Sequence, residues 1–350
     1  MLTMLLGAIG IPMVLTALLM PAAGKIAHKL RVIDRPSARK LHSKPTPLMG
    51  GLALYAAVVI YEASRGAIAP KVMALVAACG VAVLLGALDD RFDIHSRFRL
   101  LSHMSLALLL GLAGFRTGLM PRYLDIAFSV IWISGLINAM NCLDCADGVC
   151  GGVSGVILAC YGAMLVYSGH DHAPLALISL ATAGATCGFL LYNFPPAKIF
   201  MGDCGSTALG LLIGAISLRA AANSDSRYVL YTALPVILPI GDIIIVHVRR
   251  YLSGITSIRD LLASTGKDHL PHRLLSLGLS SRSTAVSVYG LVALFAVVPV
   301  FVRISRAPAY LCLAAAIALT ASVEWFYVRR SRTTQSEAII ARASQPQYSE

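Results

Sequence analysis

Asn193-Phe194-Pro195-Pro196-Ala197-Lys198-Ile199-Phe200-Met201-Gly202-Asp203-Cys204-Gly205-Ser206 lies between two strongly apolar segments, 174–192 and 207–220. Two consecutive prolines forbid a continuous helix through it. Gly202 and Gly205 bracket a lone Asp203, which lets the backbone approach whatever the carboxylate holds. Asp203 or Ser206 would serve as an ordinary cap for the next helix. An acid, a lysine and an aromatic in an irregular turn between apolar segments also suit a ligand site, and the rest of the chain has to decide between the two.

Outward from this stretch the 350 residues are 57% hydrophobic and only 13% charged, against about 25% charged in soluble domains. Eleven apolar runs are long enough for membrane helices, at roughly 2–22, 48–63, 71–88, 100–115, 124–141, 152–168, 174–192, 207–220, 229–248, 284–302 and 308–328. Only helices satisfy their own backbone in lipid at this hydrophobicity. The expected fold is therefore an all-α, polytopic integral membrane protein, with one domain over 1–330 and a disordered cytoplasmic tail over 331–350. The first run lacks a charged start and a small-residue cleavage site, so it is expected to be an anchor. With the N-terminus outside, the inner segments 25–47, 89–99, 193–203, 249–282 and 329–350 hold 21 of the 29 Lys and Arg. That asymmetry predicts N-out, C-in, and it accounts for the net charge of +12 without a nucleic-acid partner. The eight cysteines form no disulfide framework: four fall inside apolar runs and four near the reducing inner face. Cys142-Leu143-Asp144-Cys145 has a CxxC spacing but no second pair beside it.

The acids gather at the same face. Asp34–Gly51 is a basic, proline-punctuated inner loop in which Lys44 and Thr46 stand at the mouth of the second span, with Gly50-Gly51 allowing close packing. The third span ends in Asp89-Asp90-Arg91-Phe92-Asp93. Adjacent carboxylates at a membrane edge repel unless a cation or proton resolves them, and Asp89 and Asp93 would share a helix face. Such a cluster suits a hard divalent cation or a base acting on an acidic substrate group. Asn138, Asn141 and Asp144 recur every three residues with Asp147 continuing the spacing, a polar stripe that is costly unless it lines a wet cavity. The ninth span carries Pro235, Pro239 and Asp242 and is expected to break near its middle or inner half. Beyond it, His269, His272 and Arg273 offer charge-assisted hydrogen bonds to phosphate, although Pro271 interrupts the helical spacing of the two histidines. Asp260 and Asp268 lie in the same inner loop, and only Glu62, Asp125, Asp171 and Asp225 are assigned to the outer side. One membrane face thus carries carboxylates among basic loops, which fits a site handling polyanionic substrates.

Five blocks, DRPSARKLHSKPTPLMGG, GALDDRFD, NAMNCLDCADG, NFPPAKIFMGDCGS and DHLPHRL, span roughly residues 30–285. In their order and content the chain resembles the polyprenyl-phosphate N-acetylhexosamine-1-phosphate transferase family, which starts lipid-linked glycan assembly in bacteria. The resemblance implies ten or eleven spans in the bacterial plasma membrane, a cytoplasmic cleft, and transfer of a sugar-1-phosphate from a UDP-N-acetylhexosamine to undecaprenyl phosphate with release of UMP. It implies Mg²⁺, with Mn²⁺ as a substitute; membrane lipids and a homodimer complete the expected partners. Carried over, it makes Asp203 the Mg²⁺ ligand with Asn138 beside the metal. Phe200 would stack on uracil and Asn193 would hydrogen-bond it, with Asn141, Asp144 and Asp147 in the nucleotide pocket. Asp89 would deprotonate the lipid phosphate and Asp90 would support the metal or a lysine. His269, His272 and Arg273 would hold the sugar or diphosphate, and Lys44 would reach the nucleotide.

Two departures from the family pattern stand out, one at the turn before Asp147 and one that bears on the donor. Cys145 stands where the family usually has Gly, and Pro271 replaces the middle histidine of its His-x-His-His loop. The second departure favours UDP-GlcNAc over the muramyl-pentapeptide nucleotide, with UDP-GalNAc and UDP-FucNAc as other donors. Direct attack of the lipid phosphate on the β-phosphorus is preferred to an aspartyl-phosphate intermediate, because phosphoryl transfer needs mainly positioning and charge stabilisation. From other classes, an ion-coupled secondary transporter would also use intramembrane acids and a broken span, and an inactive scaffold would tolerate Cys145 and Pro271.

Overall fold

A computed structural model describes residues 2–36, 44–66, 68–168, 172–222, 229–255, 257, 266 and 268–305, with residues 314, 318, 322 and 329 besides. The apolar runs become helices α1 (Leu2–Leu30), α2 (Gly50–Ser64), α3 (Pro70–Phe92), α4 (Ser96–Leu112), α5 (Arg122–Leu143), α6 (Val149–Val166), α7 (Ala173–Asn193) and α8 (Asp203–Ala222). A 3-10 helix, Val229–Val236, leads into α9 (Ile237–Leu252), and the short α10 (Leu270–Ser276) precedes α11 (Ser281–Ser305). Eight of these segments are long and apolar enough to cross a membrane, and α2 is a shorter apolar helix among them. The chain is an all-α, multi-pass membrane protein. Most of the run 308–328, the tail 331–350, Asp171, Asp225, Asp260 and the whole basic 37–43 segment lie outside the described residues. The only strands among the described residues, β1 (Ile33–Asp34) and β2 (Thr46–Pro47), pair antiparallel at the foot of α1 and α2.

The ninth span breaks close to its middle, as its prolines suggest. The change from 3-10 to α-helix falls between Val236 and Ile237, with Pro235 inside the 3-10 turn and Pro239 in the first turn of α9. A proline lacks the N–H that an α-helix interior needs, whereas a first turn leaves that donor unused. Asp242 is consequently in regular helix, not at a break.

Small residues bring α5 and α8 together. A Cβ added to Gly210 would sit 2.6 Å from the Cα of Ile137, and one on Gly214 would sit 3.0 Å from the Cα of Ile133. In membranes, helices associate by such close packing, not by hydrophobicity. Trp132 donates to Ser217 Oγ at 2.8 Å near one end of this seam, and Asn141 meets Thr207 at 3.4 Å near the other, beside the start of α8. The seam therefore delivers the end of α5 and the start of α8 to one place. α1 packs likewise on α7, where Gly184 and Gly188 lie against the backbone at Ile9 and Met13. Leu2, Leu6, Val14 and Leu18 on α1 face outward, as lipid-facing residues do.

Candidate active site

α3 stops at Phe92, and Asp93 caps it in left-handed backbone, exposed, at φ 50°. The expected helix face shared by Asp89 and Asp93 therefore does not form, because the chain turns at Asp93. Asp89 is buried and faces inward: its Oδ1 accepts the Ile94 N–H at 2.8 Å and its Oδ2 accepts from Arg99 at 2.9 Å. Asp90 faces α8, accepting the N–H of Asp203 at 2.9 Å and of Cys204 at 3.2 Å. A carboxylate on the first N–H groups of a helix satisfies its orphan donors and its positive end. The cap of α8 is thus supplied by Asp90, and the helix starts four residues before the apolar run at 207. Gly202 makes this possible, since its φ of 74° suits glycine and a Cβ there would collide with the Asp90 carboxylate.

Asp203 is left with its own side chain one-third exposed and Arg99 Nη1 3.7 Å away. Asp89, Asp90, Asp203 and Arg99 accordingly form one cluster across α3, α4 and α8. Loop residues close around it: Gly50 and Gly51 donate to Phe200 O and Met201 O at 2.9 Å, and Phe200 N donates to Pro47 O at 2.9 Å. This ladder fixes the Phe200 backbone and leaves its ring half-buried. Lys44 lies exposed just before it.

The stripe expected along Asn138, Asn141, Asp144 and Asp147 is interrupted. α5 ends at Leu143, so the first two are on the helix while Asp144 occupies the C-cap and Asp147 the following turn. The Asp144 carboxyl is pushed well above the usual range, first by burial and then by the carboxylates of Asp203, Asp90 and Asp147. Asp147 accepts the Ala197 N–H at 2.9 Å. Asn193 is buried and accepts from Gly148 N at 2.8 Å while donating to Ile199 O at 2.8 Å. Its polar atoms hold the 194–199 loop against the turn after α5. Each polar group of the Asn193 amide is thus already engaged once by backbone.

α9 grips the last block through two acid–base contacts. Asp242 binds His269 Nδ1 at 2.8 Å, Leu270 N at 2.8 Å and Arg273 Nη2 at 2.6 Å. Two turns on, Arg250 pairs with both oxygens of Asp268, at 2.8 and 2.7 Å, and holds that carboxyl below its usual range although burial opposes this. Burial also works against a charged His269, yet the hydrogen bonds to Asp242 and Cys142 outweigh it and raise its pKa to about 9. Pro271 lies in the first turn of α10, whose N-cap is His269, and His272 lies inside the helix, half-buried. The two imidazoles thus do not share the regular helical face that their spacing suggests. Arg273 is 2% exposed and turned to Asp242, an anchor and not the open phosphate grip expected of it.

Among the described residues no three His, Cys, Asp or Glu side chains converge into a complete metal cage. Mg²⁺ needs none, since it keeps several waters and takes one or two protein carboxylates together with substrate phosphates. The crowding that raises Asp144 beside a partly open Asp203 is the excess negative charge a divalent cation relieves, so the donor set fits such an ion. Asn138, half-buried, is two turns of α5 before Asp144 and thus less directly placed. The residue that sequence reasoning missed is Arg99. It was counted among inner-face charges, and its one signal was a cation in the first turn of the span that follows the acid pair.

Residues 72–221 match the family model described as Glycosyl transferase family 4. The chain is 31% identical over 287 residues, 77% of its length and 76% of the relative's, to the probable undecaprenyl-phosphate N-acetylglucosaminyl 1-phosphate transferase of Bacillus subtilis (strain 168). It is 30% identical to the decaprenyl-phosphate N-acetylglucosaminephosphotransferase of Mycobacterium leprae, over 79% of each chain. It is also 28% identical to the undecaprenyl-phosphate alpha-N-acetylglucosaminyl 1-phosphate transferase of Escherichia coli K12, over 83% and 82%. Acids clustered at one end of the bundle, not at its midplane, agree with an enzyme better than with a transporter. With its acid cluster, its helical architecture and these relatives together, the chain belongs to the polyprenyl-phosphate N-acetylhexosamine-1-phosphate transferases, the membrane phosphotransferases of glycosyl transferase family 4.

Proposed function

We propose that this enzyme transfers GlcNAc-1-phosphate from UDP-GlcNAc to undecaprenyl phosphate or a similar polyprenyl phosphate, releasing UMP on the cytoplasmic side of a bacterial plasma membrane, with the N-terminus outside. The observation that carries the reading is the Asp89–Asp90–Asp203–Arg99 cluster, where three carboxylates and one guanidinium meet between α3, α4 and α8. A polyanionic donor and an anionic acceptor both need cationic partners at such a place.

Asp203 and Asp144 would hold Mg²⁺, which when bound neutralises the diphosphate and favours departure of UMP. Asp90 keeps Asp203 at the start of α8 by binding its N–H. Arg99, 39% exposed on the side chain and on a helix whose Phe98, Leu101 and Leu108 face outward, would receive the acceptor phosphate arriving from the bilayer. Asp89, already bonded to Arg99, would accept the acceptor's proton while a lipid phosphate oxygen attacks the β-phosphorus. Phe200 would lie against the uracil, with Asp147 and Asn193 holding the loop that walls the nucleotide pocket. Lys44 and His272 would meet the donor's charged or sugar groups, and His269, held by Asp242, would join them.

Membranes or purified enzyme given radiolabelled UDP-GlcNAc, undecaprenyl phosphate and Mg²⁺ should form lipid-linked sugar phosphate, and Asp203→Ala should not. The same incubation with UDP-GalNAc, UDP-FucNAc and the muramyl-pentapeptide nucleotide should give less product. Product from another donor alone would overturn the choice of GlcNAc, and absence of product from all four would overturn the transferase reading.

A further inference from the structure

His103 lies on α4 one turn beyond Arg99, is 3% exposed, and its Nδ1 is buried with no hydrogen-bond partner among the described residues. A buried polar atom without a partner is costly, so such atoms generally meet a protein group or an ordered water. Beside it is a cavity of about 20 Å³ lined by Gly86, Asp89, Arg99, Ser102, His103 and Thr207, among others. Roughly 10–15 Å³ suffices for one water if it finds two to four polar partners. Here the lining offers a carboxylate, a guanidinium and two hydroxyls besides the imidazole. Arg99 and Asp89 are the charged groups facing His103. Gly86 contributes only the close approach of α3 to the start of α8.

We propose that His103 is a positioning residue, bonded through one buried water to the Asp89–Arg99 pair. The pair alone is fixed on the Asp89 side by the Ile94 N–H. On the α4 side, Arg99 is a long side chain more than one-third exposed, reaching past Asp89 toward Asp203. A water held by His103 gives the pair a third fixed point inside the bundle. The guanidinium then stays directed at Asp203, where an incoming phosphate would meet it. The kinetic part of this inference rests on the transferase reading; the water does not.

The test compares full-length wild type, His103→Leu and His103→Gln in nanodiscs, measuring kcat, KM for UDP-GlcNAc, KM for undecaprenyl phosphate and the thermal midpoint, together with an experimental density map of the wild type. Misplacement of a positioning group costs about 10- to 100-fold in turnover without loss of donor binding. His103→Leu should therefore lose at least about tenfold in kcat with donor KM within about twofold of wild type. His103→Gln, whose amide reaches the same water, should recover to within about threefold. The map should show a solvent peak within hydrogen-bond reach of Nδ1. Wild-type turnover in His103→Leu, a glutamine variant as slow as the leucine one, or a dry cavity overturns the proposal. If His103→Leu fails to fold, turnover of His103→Gln and the map decide it. If wild type itself makes no product, the transferase reading falls and the map alone decides the water.

Discussion

Asp90 and Asp203 are joined through the main chain: the carboxylate of the first accepts the N–H of the second at 2.9 Å and that of Cys204 at 3.2 Å. One acid of the cluster thus supports another by capping its helix, which separates the neighbouring Asp89 and Asp90 into different tasks. Asp90→Asn keeps one acceptor and loses the charge at the helix start. It should lower stability by about 1–2 kcal/mol and reduce turnover more than tenfold, whereas Asp90→Ala should do worse on both counts. Thermal melting and product formation on the same preparations check this; an alanine variant as stable as wild type would contradict it.

The pH dependence of stability should reflect His269. Its pKa rises from 6.5 unfolded to about 9 folded, so the folded state binds the proton more tightly. The stabilisation is complete below about pH 6.5 and is lost as pH climbs through 9. Melting temperature should fall over that window, and Asp242→Asn, by removing the partner, should flatten the slope and lower stability throughout. A buried pair broken on one side costs about 3–5 kcal/mol, and Arg273, bound to the same carboxylate, shares that loss.

Cation binding should compete with protons at Asp144. Burial and three neighbouring carboxylates raise its pKa, so without a cation the folded state loses stability as pH rises through the shifted range. Added Mg²⁺ should then raise the melting temperature more at higher pH, where Asp144 is ionised, than at lower pH where it holds its proton. An equal or reversed gain would place the ion elsewhere.

The α5–α8 seam should be intolerant of bulk. Gly210→Val puts branched carbon where a Cβ alone already falls 2.6 Å from the Ile137 Cα, forcing the two helices apart. The expected result is loss of folded protein in detergent, read by size-exclusion and melting. Gly241→Ala, where added carbon meets nothing within 4 Å, should leave both unchanged.

Asn193→Ala should act on stability before substrate binding. It removes two hydrogen bonds to backbone in a buried setting, worth about 1–3 kcal/mol together with the unsatisfied groups left behind. A variant with wild-type stability but a donor KM raised more than tenfold would return Asn193 to the nucleotide.

The spans were legible in sequence because lipid leaves the backbone one solution, and ten of the eleven apolar runs can be followed as helices in the described residues. The gathering of Asp89, Asp90, Asp144 and Asp203 at one end of the bundle was legible for a related reason: charge is too costly inside the span to be placed there idly. What each acid does was not legible, because it depends on partners far away in the chain. Asp90 lies 113 residues from the N–H it caps, and Asn193 is 45 from the Gly148 it holds. Arg273, a phosphate ligand by its local sequence alone, is held by Asp242, 31 residues earlier. Local spacing also misled wherever a helix ended early, as at Asp93 and Asp144, since a periodicity of 3.6 says nothing once the chain turns. By itself the sequence determined a membrane bundle with an acidic site at one end of its Asn193–Ser206 turn. Only the tertiary structure decided which carboxylates cap and anchor and which remain open to a ligand, because hydrogen-bond partners are set by packing between helices and not by order along the chain.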